Sequence, residues 1–221
     1  MASVFPVYQC THPECRLRFP GKAGHGSVER CPKCGNPARL VESPIVDLEV
    51  RASSAPSGAP VVEAFLDNIR STFNVGAMMR TADGAGLRKI HLAGITPLPT
   101  HPRVAKTALG AEESIPWQHH PDGATAAAGM KANGFRLWAL EGGSDAESLF
   151  SSNPKSDEAP ILLVVGNEIT GIDPAVLALC EKRLTIPMLG YKRSLNVAIA
   201  FGIAAYTLRF GLPVAPIATN D

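Results

Sequence analysis

Ile161-Leu162-Leu163-Val164-Val165-Gly166-Asn167-Glu168-Ile169-Thr170-Gly171-Ile172-Asp173-Pro174 sets five consecutive aliphatic residues before a polar, glycine-flanked loop and an Asp-Pro pair. A short unbroken apolar run of this kind reads as a strand buried on both faces, as in a parallel sheet. Asp173 followed by Pro174 reads as the cap and first turn of a helix. The same succession of strand, loop and helix extends outward in both directions. Strand-length runs stand at 61–66, 89–94, 135–140, 161–166 and 183–187, with helix candidates near 75–84, 122–133, 174–182 and 195–210. This alternation predicts an α/β domain with a mainly parallel sheet and helices on both faces. Ligands of such sheets sit beyond the carboxyl ends of the strands, so chemistry is sought in the segments that follow them.

A chain of 221 residues holds one full domain and something small. With 45% hydrophobic and 19% charged residues, it has material for a core and lacks the signature of disorder. Lys plus Arg number 21 against 20 Asp plus Glu, a net +1, so any nucleic-acid surface must be a local patch. Five cysteines are too few for a disulfide scaffold, and MASVFPVYQC lacks the layout of a secretory signal, so a cytoplasmic location is expected. The longest apolar stretch, 195–208, falls short of the roughly 18 residues of a membrane span and contains Asn196.

Four of the five cysteines precede residue 35. Cys10 and Cys15 have four residues between them, Cys31 and Cys34 have two, and fifteen separate the pairs, which is zinc-ribbon spacing. Each tight turn presents two thiolates to one side, and two such knuckles complete a tetrahedron. About forty residues bury too little surface to fold unaided, so the metal would supply folding free energy. Two disulfides, or four unrelated thiols, are the alternatives. His12 and His25 read as exposed loop residues. Arg16, Arg18 and Lys22 interleave with Phe19, a layout suited to phosphate contacts beside one stacking ring, or to an ordinary solvated loop. The module is placed at 1–50, a linker RASSAPSGAP at 51–60, and the large domain at 61–221.

Three post-strand segments of the large domain stand out. In the first, Asn74 is a candidate N-cap, and Val75, Met78, Met79 and Ala82 form a buried stripe. Arg80 falls off that stripe one turn from Gly76, whose missing side chain would let a ligand approach the guanidinium; a solvated surface arginine is the plain alternative. In the second, Asp173 and Pro174 are explained as a helix start, whereas Glu168 is an acceptor for ligand donors or a helper in loop hydrogen bonding. In the third, Ser194 is a candidate N-cap for a helix apolar around most of its circumference, to be covered by the sheet or by a second subunit. Asn196 in its first turn would be a buried polar group needing partners. Cys180 reads as a core thiol, Trp138 as strand core and His119-His120 as a surface pair. Gly21-Lys22-Ala23-Gly24-His25-Gly26 lacks the setting of a phosphate loop.

Together, NVGAMMRTADGAG, GNEITGID and SLNVAIAFGIAAY resemble the three motifs of the SpoU (TrmH-type) branch of the SPOUT methyltransferases, over about residues 61 to 210. The resemblance implies methyl transfer from S-adenosylmethionine to a ribose 2′-OH of tRNA or rRNA. It also implies a C-terminal trefoil knot and a homodimer, neither of which periodicity reveals; connection rules alone argue against a knot. The motif positions fall on Asn74, Arg80, Gly166, Glu168, Ser194 and Asn196. The cofactor is expected against backbone at Gly166, Ile186 and Leu195 and their neighbours Asn167 and Met188. One departure is Ser71-Thr72-Phe73, where the family commonly has Asp/Asn-Pro before the Asn. Lys106 in KTALGAEE becomes a candidate phosphate contact, or a solvated lysine.

The implied reaction is an in-line displacement in which the 2′-oxygen attacks the methyl on sulfur, so positioning and removal of the hydroxyl proton set the barrier. A guanidinium is a poor base, which makes Arg80 an electrostatic partner of the developing alkoxide or a phosphate, with Ser194, Glu168 or RNA phosphate relaying the proton. The alternative function is a non-catalytic zinc-ribbon RNA-binding protein with a methyltransferase-like domain. A nucleotide-dependent oxidoreductase is disfavoured because no G-x-G-x-x-G follows the first strand.

Overall fold

The structure, a computed structural model, describes residues 4–21, 30–46, 58–152 and 159–211. The chain divides into two compact units, 1–53 and 54–221. Lys22, His25, most of the GKAGHG stretch and residues 51–57 of the expected linker lie outside the described residues.

The first unit is a three-stranded antiparallel sheet of β1 (Val4–Cys10), β2 (Arg18–Pro20) and β3 (Ala38–Val46), in the order β2-β1-β3. Tyr8 lies opposite both Phe19 and Leu40, so the three side chains form one row across the sheet. The Tyr8 and Phe19 rings stack with centroids 6.0 Å apart.

The second unit contains β4 (Val62–Asp67), α1 (Thr72–Gly84), β5 (Ile90–Ala93), α2 (Pro102–Ala108), α3 (Ala111–Ser114), β6 (Trp117–His120) and α4 (Gly123–Ala132). It continues with β7 (Arg136–Leu140), β8 (Glu147–Ser148), β9 (Ile161–Val165), α5 (Pro174–Leu177), β10 (Lys182–Thr185) and α6 (Val197–Phe210). The seven strands form one sheet in the order β6-β5-β4-β9-β7-β10-β8, and every pair within it is parallel.

Both faces of the sheet are covered, as the apolar runs require. Val75, Met78, Met79 and Ala82 of α1 and Phe201, Ala204 and Leu208 of α6 pack on the face presented by Val62, Ala64, Leu66, Leu163 and Val165. Ala127 of α4 and Val176 of α5 pack on the other, against Phe65, Leu137, Ala139, Leu162 and Val164. Strand β9 is buried at every position, which explains its unbroken aliphatic run.

Several local expectations are corrected. Ser71, not Asn74, caps α1: its Oγ accepts from the Asn74 amide at 3.3 Å, and the helix starts three residues earlier than expected. Asn196, not Ser194, caps α6, its Oδ1 accepting from the amides of Ala198 (2.9 Å) and Ile199 (3.4 Å). Asn196 is therefore an exposed cap rather than a buried first-turn residue. Gly76 does not open space beside Arg80: a Cβ there would stand 1.9 Å from Thr107 Oγ1 and 2.5 Å from the Val104 carbonyl, so the missing side chain admits α2. The helix expected at 174–182 is the single turn α5, and α2 and α3 carried too little periodicity to be read. His119 and His120 are half-buried rather than a surface pair; His120 stacks on His91 with ring centroids 5.1 Å apart. Trp138 is buried in the sheet, and Cys180 is half-buried beside α5.

Candidate cofactor and active site

Parallel pairing of β4 with β9 places Leu66 beside Val165, so the loops after these two strands emerge together although about a hundred residues separate them. Glu168 exploits this proximity. Its Oε2 accepts from the Arg70 amide at 3.0 Å, and its Oε1 accepts from the Ser71 amide at 3.2 Å and from Asn74 Nδ2 at 2.8 Å. Burial works to raise the Glu168 carboxyl, but the Arg70 amide and the Asn74 side chain outweigh it and hold the group below the usual carboxylate range.

The remaining amide orientations follow from donor and acceptor capacity. An ionised carboxylate only accepts, so Asn74 must turn its NH2 to Glu168 and its Oδ1 outward. That Oδ1 accepts from Asn196 Nδ2 at 3.1 Å, which leaves Asn196 Oδ1 to cap α6. Glu168, Asn74 and Asn196 thus form one directional chain joining the three segments singled out in the sequence.

The loop after β9 is held from behind. Asn167 Nδ2 donates to the Asn68 carbonyl at 2.7 Å, while Asn167 Oδ1 accepts from the amides of Ile169 (2.9 Å) and Thr170 (3.2 Å). Asp67, buried at the end of β4, accepts from the Asp173 amide at 2.7 Å. Burial raises the Asp67 carboxyl above its ordinary value. At Gly166 a Cβ would lie 2.2 Å from the Ile172 amide nitrogen, so only glycine lets the loop fold back this tightly.

Beyond the ends of β7, β9 and β10 lies a cleft of about 390 Å³, within the size range of small-molecule sites. Its lining includes all five expected cofactor positions, Gly166, Asn167, Ile186, Met188 and Leu195, together with Glu168, Ser194 and Asn196. A second cleft, of about 520 Å³, is lined by Arg70, Ser71, Asn74, Glu168, Ile169 and Asn196. The two share Glu168, Ile169 and Asn196. The Glu168–Asn74–Asn196 chain therefore stands where a cofactor and an acceptor substrate could meet.

Arg80 lines neither cleft. It is exposed on α1 and has no hydrogen-bond or ion-pair partner among the described residues. Lys106 is exposed in the last turn of α2. The sequence reading missed Leu140, the last residue of β7, and Glu141 and Gly142 just past it, which line the first cleft. The signal was available, since they end and follow an expected strand.

In the first unit, Cys10 Sγ and Cys34 Sγ are 3.5 Å apart, Cys15 Sγ and Cys31 Sγ 3.8 Å, and all four sulfurs lie within 4.8 Å of one another. Four thiolates around zinc at about 2.3 Å would be separated by about 3.8 Å, so the set fits a tetrahedral ion. All four are free thiols, at distances too long for disulfide bonds. The side chain and amide of Asn36 pull the Cys34 thiol down to about 6, whereas burial pushes Cys10 up to about 12.

A parallel α/β sheet with a cofactor-sized cleft in the loops beyond its strand ends defines the class. Within that class the chain belongs to the SpoU rRNA Methylase family, which matches residues 62–206. It is 32% identical over 148 residues to the 23S rRNA (guanosine(2553)-2′-O)-methyltransferase RlmP of Bacillus subtilis (strain 168), covering 65% of this chain and 56% of that protein. It is 28% identical over 147 residues to the tRNA (guanosine(18)-2′-O)-methyltransferase of Thermus thermophilus, covering 66% of this chain and 73% of that one. Among solved structures it resembles an AdoMet-bound rRNA methyltransferase from Sinorhizobium meliloti, with TM-score 0.64 and 28% identity over 68% of this chain and 56% of that chain. The chain spans a little over half the length of the first curated relatives it matches.

Proposed function

We propose that this protein transfers a methyl group from S-adenosylmethionine to a ribose 2′-hydroxyl of tRNA or rRNA. The observation that carries the reading is the Glu168–Asn74–Asn196 chain at the junction of the two clefts, with the expected cofactor residues lining the first. Relatives named as RNA 2′-O-methyltransferases and an AdoMet-bound rRNA methyltransferase structure support it. S-adenosylmethionine supplies an electrophilic methyl on a sulfonium. The aliphatic walls of the first cleft, Leu140, Val165, Leu184, Ile186 and Leu195, would bury its apolar surface and exclude water.

Glu168 serves best as an orienting group. A carboxylate already accepting three N–H groups, and acidified by them, is a weak proton acceptor. That leaves an RNA phosphate to take the 2′-OH proton, directly or through a Ser194 hydroxyl that passes its own proton on, with Arg80, which lines neither cleft, acting on an adjacent RNA phosphate.

The reading includes a zinc-held ribbon at 1–50, with Cys10, Cys15, Cys31 and Cys34 as ligands, a linker at 51–60 and the methyltransferase domain at 61–221. Four free thiols suit a reducing compartment such as the cytoplasm. No helix among the described residues is long and apolar enough to cross a membrane. It also includes a homodimer and the C-terminal trefoil knot. Ile199, Tyr206 and Phe210 of α6 stay exposed in the single chain, at 57%, 46% and 44%, which suits a helix face awaiting a second copy.

The test combines calorimetry with S-adenosylmethionine and mapping of 2′-O-methylated riboses in RNA from cells with and without this protein. Cofactor binding together with a ribose methyl lost in the deletion is expected. Arg80→Ala should abolish transfer while cofactor affinity stays within about twofold, since Arg80 lies outside the cleft. Failure of the wild-type protein to bind the cofactor would favour a non-catalytic RNA-binding role.

A further inference from the structure

The cleft beyond β7, β9 and β10 carries two carboxylates, Glu141 and Glu168, and one guanidinium, Arg193. Glu168 is committed to Arg70, Ser71 and Asn74. Glu141 is not committed, because its carboxylate has no hydrogen-bond or ion-pair partner among the described residues. It nevertheless sits in a prepared place. Its backbone amide donates to the Leu184 carbonyl at 3.1 Å, which fixes the residue at the junction of β7 and β10. Its Oε1 lies 2.6 Å from where a Cβ on Gly171 would stand, so any larger residue at position 171 would push the carboxylate away. Other acids around the sheet are spoken for: Asp145 pairs with Arg183, Glu181 with Arg136, and Glu63 with Arg88 and His91.

An acceptor-only group, half-buried beside the aliphatic wall of a ligand cleft and lacking a protein donor, is suited to a donor on the ligand. We propose that Glu141 is a cofactor-binding residue whose carboxylate accepts hydrogen bonds from S-adenosylmethionine, through its ribose hydroxyls or its α-ammonium. The inference rests on the proposed methyltransferase function and deepens it. Both donor groups share the chemistry that a carboxylate recognises, and the positive charge of the sulfonium cofactor adds to the attraction at either position. In this arrangement the backbone of the loops would shape the adenine site, while Glu141 would recognise polar donors further along the ligand.

The test is calorimetry on the full chain, wild type against Glu141→Gln and Glu141→Ala, with three ligands: S-adenosylmethionine, S-adenosylhomocysteine and 5′-methylthioadenosine. The last retains the ribose diol and lacks the amino-acid end. Loss of a partly solvated charge-assisted hydrogen bond predicts about tenfold weaker binding of S-adenosylmethionine to Glu141→Gln. Tm should stay within about 2 °C of wild type, because the side chain holds nothing else in the protein. Weakening toward all three ligands assigns the ribose diol, and weakening toward the first two alone assigns the ammonium. Variants that bind all three ligands within twofold of wild type overturn the proposal. A wild-type protein that binds none of them overturns the proposed function itself.

Discussion

Asn74→Asp keeps the size and shape of the side chain at the centre of the Glu168–Asn74–Asn196 chain but replaces its donor with a second acceptor. The new carboxylate would face Glu168 Oε1 across the present 2.8 Å contact. Two unit charges at that distance repel by about 1.5 kcal/mol at bulk-water screening and by about 6 kcal/mol at an effective dielectric constant near 20. Glu168 is solvent-exposed, so the lower figure applies. The lost hydrogen bond to a charged acceptor adds about 1.5 kcal/mol. The sum of about 3 kcal/mol corresponds to a Tm loss of about 6 to 12 °C for a domain of this size. Calorimetric melts at pH 7 and pH 5 are the assay. Repulsion raises one of the two carboxyl pKa values, and protonation restores a donor between the oxygens, so about half of the loss should disappear at the lower pH, the unfolded carboxyl still being mostly ionised there. Adding Glu168→Gln should recover a large part of it at pH 7, because donor and acceptor then trade places. Displacing these loops should also cost about 100-fold in kcat/KM with RNA. A Tm for Asn74→Asp within 2 °C of wild type at pH 7, or a loss that does not shrink at pH 5, would refute the orientation argument.

Gly76→Ala should lower stability by about 1 to 3 kcal/mol, since α1 and α2 must separate to admit the methyl; urea denaturation checks this, and an unchanged midpoint would contradict the packing. Glu63 is buried against Arg88 and His91, which outweigh burial and hold its carboxyl below the usual value. A depressed folded pKa gives stability that is present above the unfolded value of about 4.3 and lost as pH falls through the folded one. The stability gap between wild type and Glu63→Gln should therefore narrow below about pH 4.3, and a gap constant from pH 7 to pH 3 would exclude the linkage. The purified protein should hold about one zinc per chain, and a strong chelator should melt the ribbon while leaving the larger unit's transition in place; less than about half an equivalent by elemental analysis would count against the metal.

The parts of the fold that are local in sequence were legible in it. The largely apolar runs at 61–66 and 161–166 announced strands of a parallel sheet because such strands are covered on both faces. The stripe Val75, Met78, Met79 and Ala82 announced the buried face of α1, and the cysteine spacing announced a four-sulfur cluster. Cap assignments failed where two polar residues competed. Ser71 and Asn74 both suit an N-cap, as do Ser194 and Asn196, and the choice depended on what else each side chain could reach. Asn74 was drawn away by Glu168, and Asn196 was turned toward the cap by Asn74. Gly76 was misread because the helix that fills its space, α2, is too short to leave a periodic signature.

By itself, then, the sequence determined the class of the fold, the residues of three chemically unusual segments and the metal-like cluster at the front of the chain. Only the tertiary structure decided that β9 inserts between β4 and β7, and this order brings Glu168 to the first turn of α1, which carries Asn74. Periodicity records which residues are buried but not which strands are neighbours, because strand order is fixed by non-local pairing and by the packing of both sheet faces. The donor-to-acceptor direction from Asn196 through Asn74 to Glu168 follows from that order, as does the open carboxylate of Glu141.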